Sequence, residues 1–273
     1  MAHIFHGVAI GFDWLQSLLV MIHPWVGMIV ISALTAILVL YVYKYTSNQP
    51  AITRAKNRIK ANLLAMSIYR DSMRVILTSA GGIILVNFRY LSLNLVPLLC
   101  MILPVGIVMA NLDGWYGYRP LRVGEQRLVE AEVDEKLVMS DELELIAPEG
   151  LEVTALPVRV PSEGKVFWRV EAVEPGSHEL RVEAGGRSFA KRVRVDGELA
   201  RLSPLRHSGG IVNGFLYPGE SVAGGQSGVS SVSIDYPTDE MALAGTSLHW
   251  VYVYLVLTLV LAFALRGMIG VTF

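Results

Sequence analysis

Two prolines, Pro97 and Pro104, interrupt the apolar segment NLVPLLCMILPVG at 94–106. A proline inside a helix removes a hydrogen bond and kinks it. In a bilayer the freed carbonyls must find partners on neighbouring helices or in a polar cavity. The same segment carries Asn94, Gly106 and Asn111. Two arrangements fit: a kinked span packed on its neighbours, or a helix bent to line a polar, partly open cavity. Covalent chemistry finds no comparable constellation. His3, His6 and His23 lack a carboxylate or cysteine at metal-ligand spacing and read as interfacial polar residues. Acids between 125 and 196 alternate with apolar residues, as on the solvated face of strands, and no pair demands acid–base work. Asp141, Glu142 and Glu144 are without Ca²⁺-loop spacing. Gly209-Gly210 and Gly224-Gly225 lack the Lys-Ser/Thr of a phosphate loop. The single cysteine, Cys100, excludes an internal disulfide. No nucleophile has a positioned base, so we expect no enzyme, no cofactor and no metal.

The elements that must carry these residues follow from composition. Of 273 residues, 53% are hydrophobic and 17% charged, where a soluble domain carries about 25% charged residues. The excess is concentrated in three runs free of Asp, Glu, Lys and Arg: 20 residues at 24–43, 23 at 90–112 and 18 at 248–265. About 20 apolar residues cross a bilayer core as a helix, so three transmembrane helices are expected. A fourth uncharged run, the 14 residues at 75–88, is short for spanning and suits an interfacial or re-entrant segment. Residues 1–23 contain no Lys or Arg. Without a basic n-region the first span reads as an uncleaved anchor. Phe5, Trp14, Leu18, Leu19, Met21 and Ile22 suggest an amphipathic helix lying on the outer membrane face.

Charge sets the orientation. Residues 44–89 hold eight Lys/Arg against one acid, Asp71, whereas 113–247 hold 14 Lys/Arg against 22 Asp/Glu. Short basic loops stay cytoplasmic, so 44–89 and the end at Arg266 face inward, with the N-terminus and the acidic region outside. Within the basic segment Ile52, Ala55, Ile59, Leu63, Met66, Tyr69, Met73 and Ile76 recur at helical spacing. The other face holds Arg54, Lys56, Arg58, Lys60 and Arg70, a basic face for lipid or a protein partner. It fits either a helix flat on anionic lipid or one arm of a hairpin, with Gly81-Gly82 as a turn or a point of close packing. Nucleic-acid binding is not expected, because no aromatic platform is interleaved with the basic residues.

Trp115, Tyr116 and Tyr118 read as an aromatic belt at the outer boundary. Beyond them the period becomes two. Val129, Ala131 and Val133 alternate with acids, Val166, Trp168, Val170 and Ala172 with Phe167, Arg169 and Glu171, and Leu180, Val182 and Ala184 with charges. Six or seven short strands separated by Pro- and Gly-rich turns predict a small antiparallel sandwich. The segment 174–182 resembles a strand entry of immunoglobulin-like domains, with His178 where such domains often carry a corner tyrosine. Residues 203–247 are rich in Gly and Ser and read as a linker, with an added edge strand at 229–236.

Taken in order, residues 26–112 resemble the core of the YidC/Oxa/Alb insertase superfamily, including its three-span relatives. The shared pattern is an outside N-terminus, a first span, a basic cytoplasmic hairpin, and a span opening near a Pro-Leu-Leu-x-x-x-x-Pro signature, here Pro97 to Pro104. The resemblance implies a hydrophilic groove open to cytoplasm and lipid, lined here by Ser32, Thr35, Asn87, Arg89, Asn94 and Asn111 beside the two prolines. The first span, 26–43, departs from the bacterial insertases in having no arginine, and the external β region departs from the compact core.

The expected fold is an α-helical membrane protein with an inserted all-β, immunoglobulin-like domain. Its divisions are an interfacial helix (1–23), a first span (24–46), a basic cytoplasmic helix or hairpin (47–89), a second span (90–112), an external β-sandwich (113–202), a linker (203–247), a third span (248–266) and a short cytoplasmic tail (267–273). The expected function is insertion or assembly of membrane proteins in a bacterial inner membrane, with the β domain periplasmic. The alternative is a structural accessory subunit of a larger membrane complex. Expected partners are the lipid bilayer and either client proteins or complex subunits.

Overall fold

The computed structural model describes residues 2–140, 142–222, 228–243 and 245–271. Asp141, the Gly224-Gly225 pair and the side chains of His3 and His6, considered above, lie outside them. The helices are α1 (Ala2–Val20), α2 (Pro24–Thr46), α3 (Gln49–Ile68), α4 (Met73–Tyr116), α5 (Glu135–Val138), α6 (Ile211–Leu216) and α7 (Trp250–Ile269). The strands are β1 (Gln126–Val133), β2 (Glu144–Ile146), β3 (Leu151–Val153), β4 (Val158–Val160), β5 (Lys165–Ala172), β6 (Gly176–Ala184), β7 (Arg187–Val195), β8 (Leu205–His207), β9 (Val229–Ile234), β10 (Met241–Leu243) and β11 (Thr246–Leu248). The chain divides into two units, Met1–Gly27 with Ile107–Val253, and Met28–Gly106 with Tyr254–Phe273.

In the helical unit, α2, α4 and α7 are long and apolar enough to cross a membrane. Ala36, Leu40 and Tyr43 of α2, Ile52 of α3 and Ala262 of α7 form its core, and Tyr90, Leu93 and Met101 of α4 pack against it. Pro97 is buried on that same α4 face. Leu95, Val96, Leu98, Leu99, Ile102 and Leu103 are bare on the opposite face. Such an apolar strip is ordinary against lipid and costly against water.

Asn48 caps α3 by accepting from the Ala51 N–H at 3.0 Å, and Pro50 stands in the first turn, where no donor is lost. The chain reverses at residues 69–72. From there α4 runs unbroken for 44 residues, roughly 66 Å at the usual rise. The sequence left Gly81-Gly82 as a turn or a point of close packing ahead of a separate span at 90–112; the structure has one helix through both. Glycine in a helix interior costs only about 1 kcal/mol, and no proline precedes Pro97 to stop the run. Gly82 instead allows close approach, since a Cβ there would lie 3.0 Å from Asn62 Nδ2.

The other unit holds the β domain. One sheet has the order β3-β5-β1-β9-β8, with β4 also on β5; a second is β2-β6-β7; β10 and β11 form a hairpin. Val129 opposes Trp168 and Ala131 opposes Val166 in the first sheet, and Val182 opposes Phe189 in the second. All six side chains enter one core shared by both sheets. Residues 203–247 are not a linker. They supply α6, β8 and β9, and β9 lies inside the sheet between β1 and β8. A register shift at Glu132/Val133 explains why simple alternation understates this strand. The bulge resets the phase, so that Val229, Val232 and Ile234 all reach the core. His178 donates from Nε2 to the Glu174 carbonyl at 2.9 Å. Its ring fills the space beside Gly150, where a Cβ would come within 1.9 Å.

Candidate functional site

A cleft of about 670 Å³ lies in the helical unit between the first half of α3 and residues 82–92 of α4. Ala51, Ala55, Gly82 and Leu85 form its small and apolar floor, while Arg54, Arg58 and Arg89 stand at its walls. No Asp or Glu lines it. The arrangement follows from local sequence. Ile52 and Ala55 are buried in α3, which turns Arg54 and Arg58 outward. Lys56 stays on the packed side, its ammonium 5.9 Å from the Tyr90 ring, a cation–π distance. Three guanidinium groups beside an apolar floor give the cleft a positive local field.

The remaining residues assigned from the sequence do not converge on this cleft. Asn87 is exposed on α4. Asn94 accepts from the Tyr43 hydroxyl at 2.5 Å and donates to the Tyr90 carbonyl at 2.7 Å. Ser32 and Thr35 are buried on α2, and Thr35 donates to the Ile31 carbonyl at 2.8 Å while sharing a hydrogen bond with Tyr254. Pro104 is half-buried on α4. Lys60 and Arg70 are exposed, Lys60 on α3 and Arg70 in the turn after it. Only Arg54, Arg58 and Arg89 meet at one opening.

Asn111 belongs to a network in the β-domain unit that sequence reasoning missed. Arg201 is 10% exposed and pairs with Asp13 at 2.5 Å. It donates further to the Asn111 amide oxygen at 3.1 Å and the Ala9 carbonyl at 3.4 Å. Trp115 Nε1 donates to Asp13 at 2.9 Å. Gln16 donates to the Tyr116 hydroxyl at 2.6 Å, and that hydroxyl donates to the Pro24 carbonyl at 2.8 Å. Trp115 and Tyr116, read from the sequence as belt residues, are thus buried structural donors. One signal was available: Asp13 and Gln16 stand three positions apart, on one face of a mostly apolar helix.

The β domain contains a second buried pair. Lys191 takes a core-facing position on β7 with its side chain fully buried. It pairs with Glu220 and donates to the Ser203 carbonyl at 2.6 Å. Burial pushes the Lys191 ammonium below its ordinary pKa, against the pull of Glu220. Tyr118 is pushed up to about 12, first by burial and then by the nearby Asp113 carboxylate.

No protein-family model matches the chain, and no curated protein matches it.

Proposed function

We propose that this chain spans a membrane through α2, α4 and α7 and serves as an insertion or assembly factor for other membrane proteins, in the manner of the YidC/Oxa/Alb superfamily. The observation that carries this reading is the cleft of Arg54, Arg58 and Arg89 on the helix that continues into Pro97 and Pro104. Polar or acidic client segments would be drawn to the guanidinium groups and passed along a span whose outer flank is apolar. The mechanism is physical: shortening the apolar path lowers the cost of carrying a charge through lipid. The excess of Lys/Arg at 44–89 supports a cytoplasmic cleft, which leaves the β domain outside. In a bacterial inner membrane, outside is the periplasm. We also take the β domain as immunoglobulin-like, on the strength of its two antiparallel sheets around one core.

The test is depletion of the protein while following insertion of short-tailed membrane proteins. Delayed insertion of at least one class supports the reading; unchanged insertion of every client sinks it.

The β domain favours a second reading, an accessory subunit of a larger membrane complex, because insertion by itself does not require it. Purification in mild detergent separates the two. A stoichiometric co-purifying complex supports the subunit role, and a solitary particle counts against it.

A further inference from the structure

A cavity of about 180 Å³ opens where α1 meets the β domain, lined among others by Arg192, Arg194, Arg201, Ser177 and Ser203. The acids on its wall, Asp13 and Glu220, already serve other cations: Asp13 pairs with Arg201, and Glu220 pairs with Lys191 and approaches Arg206 at 3.8 Å. Glu179 opposes Arg192 across the strands but pairs with Arg181 at 2.9 Å. Among the described residues, Arg192 and Arg194 form no ion pair. Arg201, 10% exposed, holds a buried Nε without a hydrogen-bond partner. The cavity therefore combines two guanidinium groups without an ion pair, the partly buried Arg201 and the Ser177 hydroxyl, while Ser203 Oγ already donates to the Leu205 carbonyl at 2.8 Å.

We propose that this cavity binds a phosphate group. Guanidinium forks match phosphate oxygens in pairs, and serine hydroxyls complete such a shell. Two sources supply that chemistry: free phosphate, or the headgroup of an anionic lipid. The lipid source rests on the membrane reading above; the phosphate chemistry does not. The same α1 that lends Asp13 to the cavity also exposes Val8, Ile10, Trp14 and Leu18. That is the pattern of a helix lying in the headgroup region, which would hold the cavity at the level of lipid phosphates.

The experiment uses the full chain in a neutral detergent, so it does not depend on membrane orientation. Native mass spectrometry follows retention of phosphatidylglycerol against diacylglycerol, which lacks phosphate. A parallel thermal-shift series uses inorganic phosphate. We expect preferential retention of phosphatidylglycerol, reduced about tenfold or more in an Arg192→Ala/Arg194→Ala variant and largely kept in Arg192→Lys/Arg194→Lys. Both positions lie outside the core, and the unchanged melting temperature of the ligand-free variant confirms folding. Stabilisation by inorganic phosphate without lipid retention assigns the site to free phosphate and leaves its chemistry standing. No preference for phosphate in either form, or equal binding by the alanine variant, overturns the proposal.

Discussion

Asp13 and Arg201 stand 188 positions apart in the chain and meet at 2.5 Å. This ion pair ties α1 to the β domain, and its surroundings make it specific. Trp115 donates to the same Asp13 oxygen, while Asn111 and the Ala9 carbonyl accept from Arg201. A partly buried pair with added hydrogen bonds contributes more than an exposed one. A double-mutant cycle over Asp13→Ala and Arg201→Ala, read by thermal unfolding in detergent, should show a coupling of about 1–3 kcal/mol. Simple additivity would mean that α1 is held by apolar packing.

Gly27 is the steric counterpart of that network. A Cβ there would lie 2.6 Å from Gln16 Nε2 and 2.7 Å from the Tyr116 hydroxyl. Gly27→Ala should therefore destabilise the protein by about 1–3 kcal/mol, despite the gain in helix propensity. A melting temperature at or above that of the parent would contradict the close approach.

The Lys191–Glu220 pair predicts an asymmetry. Glu220→Gln leaves a buried ammonium without its counter-charge and should cost about 3–5 kcal/mol. Lys191→Met keeps the volume apolar and leaves Glu220 beside Arg206, so it should cost much less. The double variant should recover much of the loss seen in Glu220→Gln. Equal effects of the two single changes would show that Lys191 is stable without a counter-charge. Chemical denaturation monitored by Trp168 fluorescence reads all three.

Acid should weaken the β domain in two stages. Burial lowers the His207 pKa below its usual 6.5, while Nδ1 donates to the Gly209 carbonyl at 3.0 Å. A histidine held neutral contributes stability above the unfolded pKa and loses it as pH falls below about 6.5. Glu125 is held near 2, first by Arg119 and also by Arg127 and the Arg122 N–H. Its contribution is complete above the usual 4.5 and is lost as pH falls from 4.5 towards 2. Melting temperature against pH should thus decline first below 6.5 and again below 4.5. His207→Gln should remove the first decline and Glu125→Gln should flatten the second; profiles identical to the parent would refute these assignments.

Periodicity made the helical and β regions legible. The three uncharged runs mark the three long helices, and alternation at 129–133, 166–172 and 180–184 marks β1, β5 and β6. Three features escaped for separate physical reasons. The unbroken α4 was hidden by Gly81-Gly82, which permits close packing as readily as a turn. Strand β9 was legible at 229–236 only as an added edge strand, because a bulge breaks its alternation, and it lies inside the sheet instead. The Asp13–Arg201 pair depends on tertiary contact alone, and Arg201 carries no local signal. Of the groove residues, Arg89 lines the cleft because it lies beside Arg54 and Arg58 in the α3–α4 pairing. Thr35, Asn94 and Asn111 instead hydrogen-bond to neighbours elsewhere, and Ser32 is buried on α2.

The central claim concerns what enters the cleft between α3 and α4. Its most direct test places a photo-reactive amino acid at Leu85 or Phe88 in the cleft, and at Leu98 or Leu99 on the exposed flank of α4, while a short-tailed membrane protein is being synthesised. The account predicts client adducts from Leu85 and Phe88 that fade when Arg54, Arg58 and Arg89 are changed to glutamate, with lipid adducts from Leu98 and Leu99. Adducts to one stable partner from the cleft, with no client captured, would contradict insertion and assign the chain to a standing complex.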